Sequence, residues 1–341
     1  MYEYLPWSKK ALHNSCLKYE KGDFPILDIE LGGLCNLNCI YCDSPDRTKK
    51  FVAFEEIKHI LQTSKFDWLF ICGLGEPTFS ENKNYLLNVL DLCKQHQIKC
   101  SMFTNLTNFD DKLFEYVKEE VLYVMFKLDS FNPAKLKKLY GKSNLDVEKL
   151  LENIDRITSL IKIHDGCTNV CASIVPTSQN YDDMPEIIDF CTKNKIFPLI
   201  GDLEDSGKGR DVYDNLKLSD EQLFNIKCLF NEEYSIPICP SVLCGIHVLY
   251  DGSIAVDEST GLSCHWFWLA EPKIKILKNI SEYSLYKDIV TDILEYRNSK
   301  IQSIRDVVDE LEPLVFGGCG GDIKKLLYKY ISLHDSSFVI R

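Results

Sequence analysis

A chain of 341 residues with 45% hydrophobic and 26% charged residues has the make-up of an ordinary soluble globular protein, long enough for about two domains. Its 51 acidic against 39 basic residues leave a net charge of -12, which argues against a broad phosphate-binding surface and so against nucleic acid as a main partner. No apolar run reaches the roughly 18 residues a membrane helix needs, and the N-terminus lacks the form of a secretory signal, so no membrane partner and a cytoplasmic location are expected.

The first predicted element is a strand, Ile26 to Leu31, running directly into "LCNLNCIYC". Five more short apolar runs are predicted as strands: Trp68 to Cys72, Ile98 to Thr104, Val121 to Leu128, Asn169 to Val175 and Ile196 to Gly201. Between them the apolar spacing predicts helices over Phe54 to Gln62, Asn82 to Gln95, Asp111 to Val117, Asp146 to Ile161 and Tyr181 to Lys193. Strands alternating with helices imply right-handed crossovers and a parallel sheet, an α/β fold whose chemistry sits in the loops after the strands, as in closed or partly closed barrels. Past Gly209 the pattern changes. A predicted helix, Asp220 to Phe230, precedes "IHVLYDGSIAV", two alternating runs joined by Asp251-Gly252, a strong hairpin signal. Helical patterns resume from Ser281 and Asp322. The expected division is an N-terminal segment (1–23), an α/β domain (24–215) and a smaller C-terminal domain (236–341) of hairpin plus helices.

Fifteen cysteines, an odd and irregularly spaced set without an export signal, point to metal ligation rather than to disulfides. Cys35, Cys39 and Cys42 fall inside eight positions. Three thiolates can hold three corners of a cubane iron-sulfur cluster and leave one iron open, and an open position marks a reactive metal site. A zinc site using Cys39 and Cys42 as one half is the alternative, and it leaves Cys35 unexplained. A second constellation is Cys239, Cys244, Cys264 and Cys319: Cys244 and Cys264 flank the hairpin, and Cys319 sits in "FGGCGG". One further iron-sulfur cluster is expected there, with zinc, His265 in place of a thiolate, and free core thiols as other readings. The remaining cysteines read as small core hydrophobes; Cys72 and Cys171 also lie where a thiol could give a hydrogen atom.

"CNLNCIYC" resembles the CxxxCxΦC signature of the radical S-adenosylmethionine enzymes, with Tyr41 at the aromatic position. "CGLGEP", Cys72 to Pro77, is similar to the family's GGEP element with Leu74 inserted. The resemblance covers roughly residues 24 to 210. It implies a partial (β/α)6 TIM-like barrel holding a 4Fe-4S cluster whose open iron binds S-adenosylmethionine. Reductive cleavage of that ligand to a 5′-deoxyadenosyl radical, and abstraction of a substrate hydrogen, are the implied chemistry. By the same resemblance Glu76 faces the methionine ammonium, Gly73 and Gly75 let backbone approach, and Tyr41 lies near the adenine or in the core. "FTN" and "KLDS" supply Thr104, Asn105 and Asp129 around the cofactor, and Ser173 is a further candidate. No residue is assigned a catalytic role of its own. The tail resembles a SPASM or shorter twitch extension, and since no cysteine occurs between Cys264 and Cys319 it is expected to hold one auxiliary 4Fe-4S cluster.

The expected activity is modification of a ribosomally made peptide by crosslinking, epimerisation or oxidation. A dehydrogenase or cyclase of a small molecule (sugar, nucleotide or cofactor precursor) is the alternative. A non-catalytic metal or electron carrier is the reading from another class, and Glu76 counts against it. A reductant protein of flavodoxin or ferredoxin type is an expected partner. Only 34 residues precede Cys35, too few for a fused leader-recognition domain, so a peptide is expected to bind the barrel directly or through a separate protein.

Overall fold

The computed structural model of the chain describes residues 14–15, 17–19, 21–42, 51–64, 66–161, 169–201, 203–229, 241, 244–258, 261–262 and 274–299. Six strands alternate with helices along the chain: β1 (Ile26–Glu30), α1 (Phe54–Thr63), β2 (Trp68–Cys72), α2 (Ser80–His96), β3 (Lys99–Thr104), α3 (Asp111–Lys118), β4 (Leu122–Lys127), α4 (Pro133–Leu139), α5 (Val147–Ser159), β5 (Val170–Ile174), α6 (Met184–Asn194) and β6 (Phe197–Ile200). There follow α7 (Tyr213–Leu216), α8 (Asp220–Cys228), β7 (Gly245–Val248), β8 (Ser253–Asp257), β9 (Ile274–Asn279) and α9 (Tyr286–Asn298). The sequence-based strands agree with β1 to β6 within two residues, whereas α4, α7 and β9 were not expected.

Local chemistry accounts for most of these elements. In α5, Val147, Leu150, Ile154 and Ile157 share one buried stripe, and the Asp146 carboxylate caps the first turn by accepting from Lys149 N at 2.9 Å. Each such aliphatic side chain contributes roughly 2 kcal/mol by leaving water. α4 is short and starts on Pro133, with Asn132 Oδ1 accepting from Ala134 N and Lys135 N. Those two residues are a helix start signal that an apolar-periodicity search passes over, because seven residues show less than two full turns of pattern.

The strands make one sheet in the order β6-β5-β4-β3-β2-β1-β7-β8-β9, an open sheet with β6 and β9 at its edges. β1 to β6 pair in parallel, and β7 pairs in parallel with β1 from Ile26↔Gly245 to Ile29↔Val248. The hairpin of β7 and β8 is antiparallel, and β8 pairs antiparallel with β9. Alternate strand residues such as Leu27, Ile29, Leu69, Ile71, Met102 and Val124 join a core with helix residues including Ile57, Leu86, Leu113, Ile154 and Ile187. The intervening residues face the other way, and there Phe103, Met125, Lys127 and Ser173 border a pocket. Among the described residues no helix is long and apolar enough to cross a membrane.

Candidate active site

The three-thiol loop leaves the C-terminal end of β1 and is strapped to the end of α4 by backbone. Asn38 N donates to Tyr140 O and Ile40 N to Leu139 O, each at 3.0 Å, and Lys208 N donates to Cys42 O at 2.9 Å. Gly141 makes this docking possible. It sits at φ +59°, and a Cβ there would lie 1.9 Å from Asn38 O. The same loop meets the turn after β2, where Glu76 N donates to Leu34 O at 2.9 Å and a Cβ on Gly75 would lie 2.5 Å from that oxygen. Two backbones are therefore in direct contact on either side of the site.

Cys35, Cys39 and Cys42 are half-buried, form no disulfide, and border one pocket together with Gly73, Leu74, Gly75, Glu76, Phe103, Thr104, Asn105, Met125, Lys127 and Ser173. Burial pushes the Cys39 thiol up to about 12, with Lys127 pulling it down and the other two thiols pushing it up. Such a thiol stays protonated until a metal displaces the proton. Among the described residues no three His, Cys, Asp or Glu side chains could hold a single metal ion. Thiols set around a pocket, rather than on one point, fit a polynuclear iron-sulfur group with an accessible face.

Glu76 is buried, and four donors fix its carboxylate. Oε1 accepts from Thr78 N at 3.0 Å and from the hydroxyls of Thr78 and Thr104 at 2.6 and 2.7 Å, while Oε2 accepts from Asn105 N at 2.6 Å. Burial raises its pKa above the usual carboxylate value, and these hydrogen bonds oppose the rise. Oε2, with one bond, keeps capacity for a cationic ligand group. The turn after β3 is set by Leu106, a buried residue in the left-handed region (φ +58°), a conformation that costs a leucine on the order of 1 kcal/mol. Asn153 of α5 holds it there by donating from Nδ2 to Leu106 O at 2.7 Å. The result aims Asn105 N at Glu76, and the Asn105 side chain at the thiol loop: its Nδ2 lies 3.0 Å from Asn36 Oδ1 and 4.0 Å from Cys35 Sγ.

Nine of the residues singled out in the sequence thus border one pocket: Cys35, Cys39, Cys42, Gly73, Gly75, Glu76, Thr104, Asn105 and Ser173. Tyr41 and Asp129 do not. The Tyr41 hydroxyl donates to Asp129 Oδ2, both side chains are buried, and Tyr41 belongs to the apolar core. Cys72 borders a small neighbouring pocket beside Gly73 and Phe103, and Cys171 is buried. Of the second constellation, Cys244 is buried immediately before β7. Because Gly245 pairs with Ile26, Cys244 sits at the end of β1 away from the thiol loop. Cys239, Cys264, Cys319 and His265 lie outside the described residues. Sequence reasoning missed Lys127 and Met125. Their signal was strand phase, since they are two apart on β4 and in register with Ser173 and Cys171 on β5.

Comparison with known proteins matches residues 29–191 to the Radical SAM superfamily. The mycofactocin maturase MftC of Mycolicibacterium smegmatis is 26% identical over 213 residues, covering 60% of this chain and 52% of MftC. A GTP 3′,8-cyclase of Clostridium botulinum is 22% identical over 214 residues, covering 58% of this chain and 62% of the cyclase. The chain thus spans between half and two thirds of the length of these relatives. Among solved structures, Streptococcus suis SuiB bound to its precursor peptide SuiA shares the fold, with a TM-score of 0.53 and 17% identity over 82% of this chain and 68% of SuiB. Three thiols after β1 and a hydrogen-bonded glutamate after β2, both carried by a parallel sheet, lie in the stretch 29–191 that matches the Radical SAM superfamily.

Proposed function

We propose that this chain is a radical S-adenosylmethionine enzyme that modifies a peptide. The observation that carries the reading is that three cysteine thiols and the fixed Glu76 carboxylate border the same pocket. In this reading Cys35, Cys39 and Cys42 hold a 4Fe-4S cluster and Glu76 Oε2 receives the ammonium of the methionine moiety, a charge-assisted contact. Asn105 keeps Glu76 and the thiol loop in register, and Gly73 and Gly75 keep the wall between them thin. Ser173 and Met125 also border the pocket, where they shape the space left for a ligand and exclude water. When bound, the cluster and S-adenosylmethionine supply one-electron cleavage of a carbon–sulfur bond, and with it a radical able to take a hydrogen atom from substrate.

A peptide is favoured as substrate because SuiB, which shares the fold, was crystallised with its precursor peptide, and MftC is a maturase. Crosslinking, epimerisation and oxidation are the modifications within reach of hydrogen abstraction. The similarity to a GTP 3′,8-cyclase supports a second reading, radical chemistry on a nucleotide or other small molecule. We further assign Cys244, with Cys239, Cys264 and Cys319, to one auxiliary 4Fe-4S cluster, a flavodoxin or ferredoxin to the reductant role, and the cytoplasm as location.

The test is anaerobic reconstitution with iron and sulfide, reduction with dithionite, and assay for 5′-deoxyadenosine. Protein that holds zinc and yields no 5′-deoxyadenosine refutes the enzyme reading. Co-expression with short peptides encoded beside the gene, followed by mass spectrometry, tests the substrate class; consumption of GTP with every peptide left unchanged favours the second reading.

A further inference from the structure

Among the described residues, one cation stands on the pocket wall. Lys127 ends β4 on the pocket face, its side chain 22% exposed and its Nζ 3.4 Å from Asp129 Oδ2. The ammonium also lies 4.4 Å from the centroid of the Tyr41 ring. Asp129 is wholly buried and fixed on its other sides, accepting from Val175 N at 2.9 Å and from the Tyr41 hydroxyl. Tyr41 lies between Cys39 and Cys42. The three side chains therefore join the end of β4 to the thiol loop and form an ion pair with a defined direction: carboxylate in the core, ammonium on the pocket.

The direction has an electrostatic consequence. Lys127 borders the pocket with Cys35, Cys39 and Cys42, whereas Asp129 is wholly buried behind it and does not border the pocket. The thiols thus face the positive end of the pair.

We propose that Lys127 is the fixed countercharge of the thiol site: clamped by Asp129 and the Tyr41 ring, it stabilises the additional negative charge of a reduced cluster and so raises its reduction potential. The proposal rests on the cluster assignment made above. One electron from an external reductant enters the cluster, the cluster becomes more negative by one unit, and no proton moves. In a low-dielectric pocket a neighbouring ammonium lowers the free energy of the more negative state, and charge beside the thiolate ligands is a recognised lever on potential. Asp129 works in the opposite sense from further away and orients the lysine. Both are positioning residues.

The experiment compares reconstituted wild-type protein with Lys127→Met, Lys127→Arg and Asp129→Asn, reading iron per chain, the reduction midpoint by electron-spin titration without S-adenosylmethionine, and the affinity for that ligand. Lys127→Met is expected to keep its iron while the reduced-to-oxidised ratio at fixed potential falls at least tenfold, about 59 mV for one electron. Lys127→Arg restores the midpoint, and Asp129→Asn shifts it upward. A structural role would not move the two uncharged variants in opposite directions. An unchanged midpoint in Lys127→Met overturns the proposal, including the case in which only ligand affinity falls, which would put Lys127 on the ligand. If Lys127→Met loses its iron, Asp129→Asn decides: an upward shift supports the countercharge, and no shift or a downward one refutes it. Wild-type protein with no iron-sulfur spectrum defeats the cluster assignment itself, is seen before any substitution is made, and takes this proposal with it.

Discussion

The pairing of β7 with β1 is held by buried charge, and its pH dependence follows from the geometry. His247, opposite Asp28 in the register, has Nδ1 3.5 Å from Asp28 Oδ2 and Nε2 3.5 Å from Glu30 Oε1, and all three side chains are at most 5% exposed. Ser241 Oγ adds a hydrogen bond to Asp28 at 3.0 Å, and Tyr250 N one to Glu30 at 3.2 Å. Burial works against a charged ring, but Asp28 and Glu30 outweigh it and push His247 from 6.5 up to about 10. The folded value lies above the unfolded one, so this stabilisation is complete below about pH 6.5 and is lost as pH rises through 10. At about 1.36 kcal/mol per pKa unit, the linkage gives ~4 kcal/mol at pH 7 and ~1 kcal/mol at pH 9. The assay is urea unfolding of the metal-free, reduced protein at both pH values, wild type against His247→Gln. Buried thiols such as Cys39 and Cys171 also lose stability in alkali, but they titrate alike in both proteins and cancel in the difference. The wild-type advantage is expected to shrink by roughly 2 to 3 kcal/mol between pH 7 and pH 9. An advantage independent of pH would show that the ring is neutral and that a carboxyl group carries the proton, which would refute the reasoning.

Three further outcomes are expected. Replacing Cys35, Cys39 and Cys42 together by Ala should leave about four irons per reconstituted chain, the content of one 4Fe-4S cluster; near-zero iron by chemical analysis would remove the auxiliary cluster. Glu76→Gln turns one acceptor end into a donor facing either Asn105 N or the Thr78 and Thr104 donors, so S-adenosylmethionine affinity by equilibrium dialysis should fall at least tenfold, about 1.4 kcal/mol, and an intact affinity would contradict Glu76 as the ammonium partner. Gly141→Ala forces a Cβ onto Asn38 O at a positive φ, so both the unfolding midpoint and the iron content should drop, with a loss of roughly 2 kcal/mol or more; retention of both would show that the strap between α4 and the thiol loop yields without consequence.

What the sequence makes legible here is what repeats locally. Strands β1 to β6 and most of the helices announce themselves by period, and the pocket residues by spacing within loops of a few residues, as in Cys35 to Cys42 or Thr104 to Asn105. What it hides is set by pairing over long separations. The hairpin signal at Asp251-Gly252 says nothing of β7 lying beside β1, some two hundred residues earlier, and without that pairing Asp28, Glu30 and His247 are three unrelated polar residues. Lys127 was invisible for a related reason: a lysine closing an apolar strand reads as a solvated end until the register with β5 places it on the pocket face. These misses share a cause. A buried parallel strand is expected to be apolar on both faces, yet β1 reads Ile-Leu-Asp-Ile-Glu, with Leu27 and Ile29 in the core shared with the helices and Asp28 and Glu30 alternating with them. Alternation in a strand that is buried throughout cannot mean one wet face, so it marks a sheet whose second face is enclosed and carries polar groups among its apolar ones. That pattern, read together with a cysteine loop at the strand's end, is the sequence signal that would have located both the buried charge network and the cation beside the thiols.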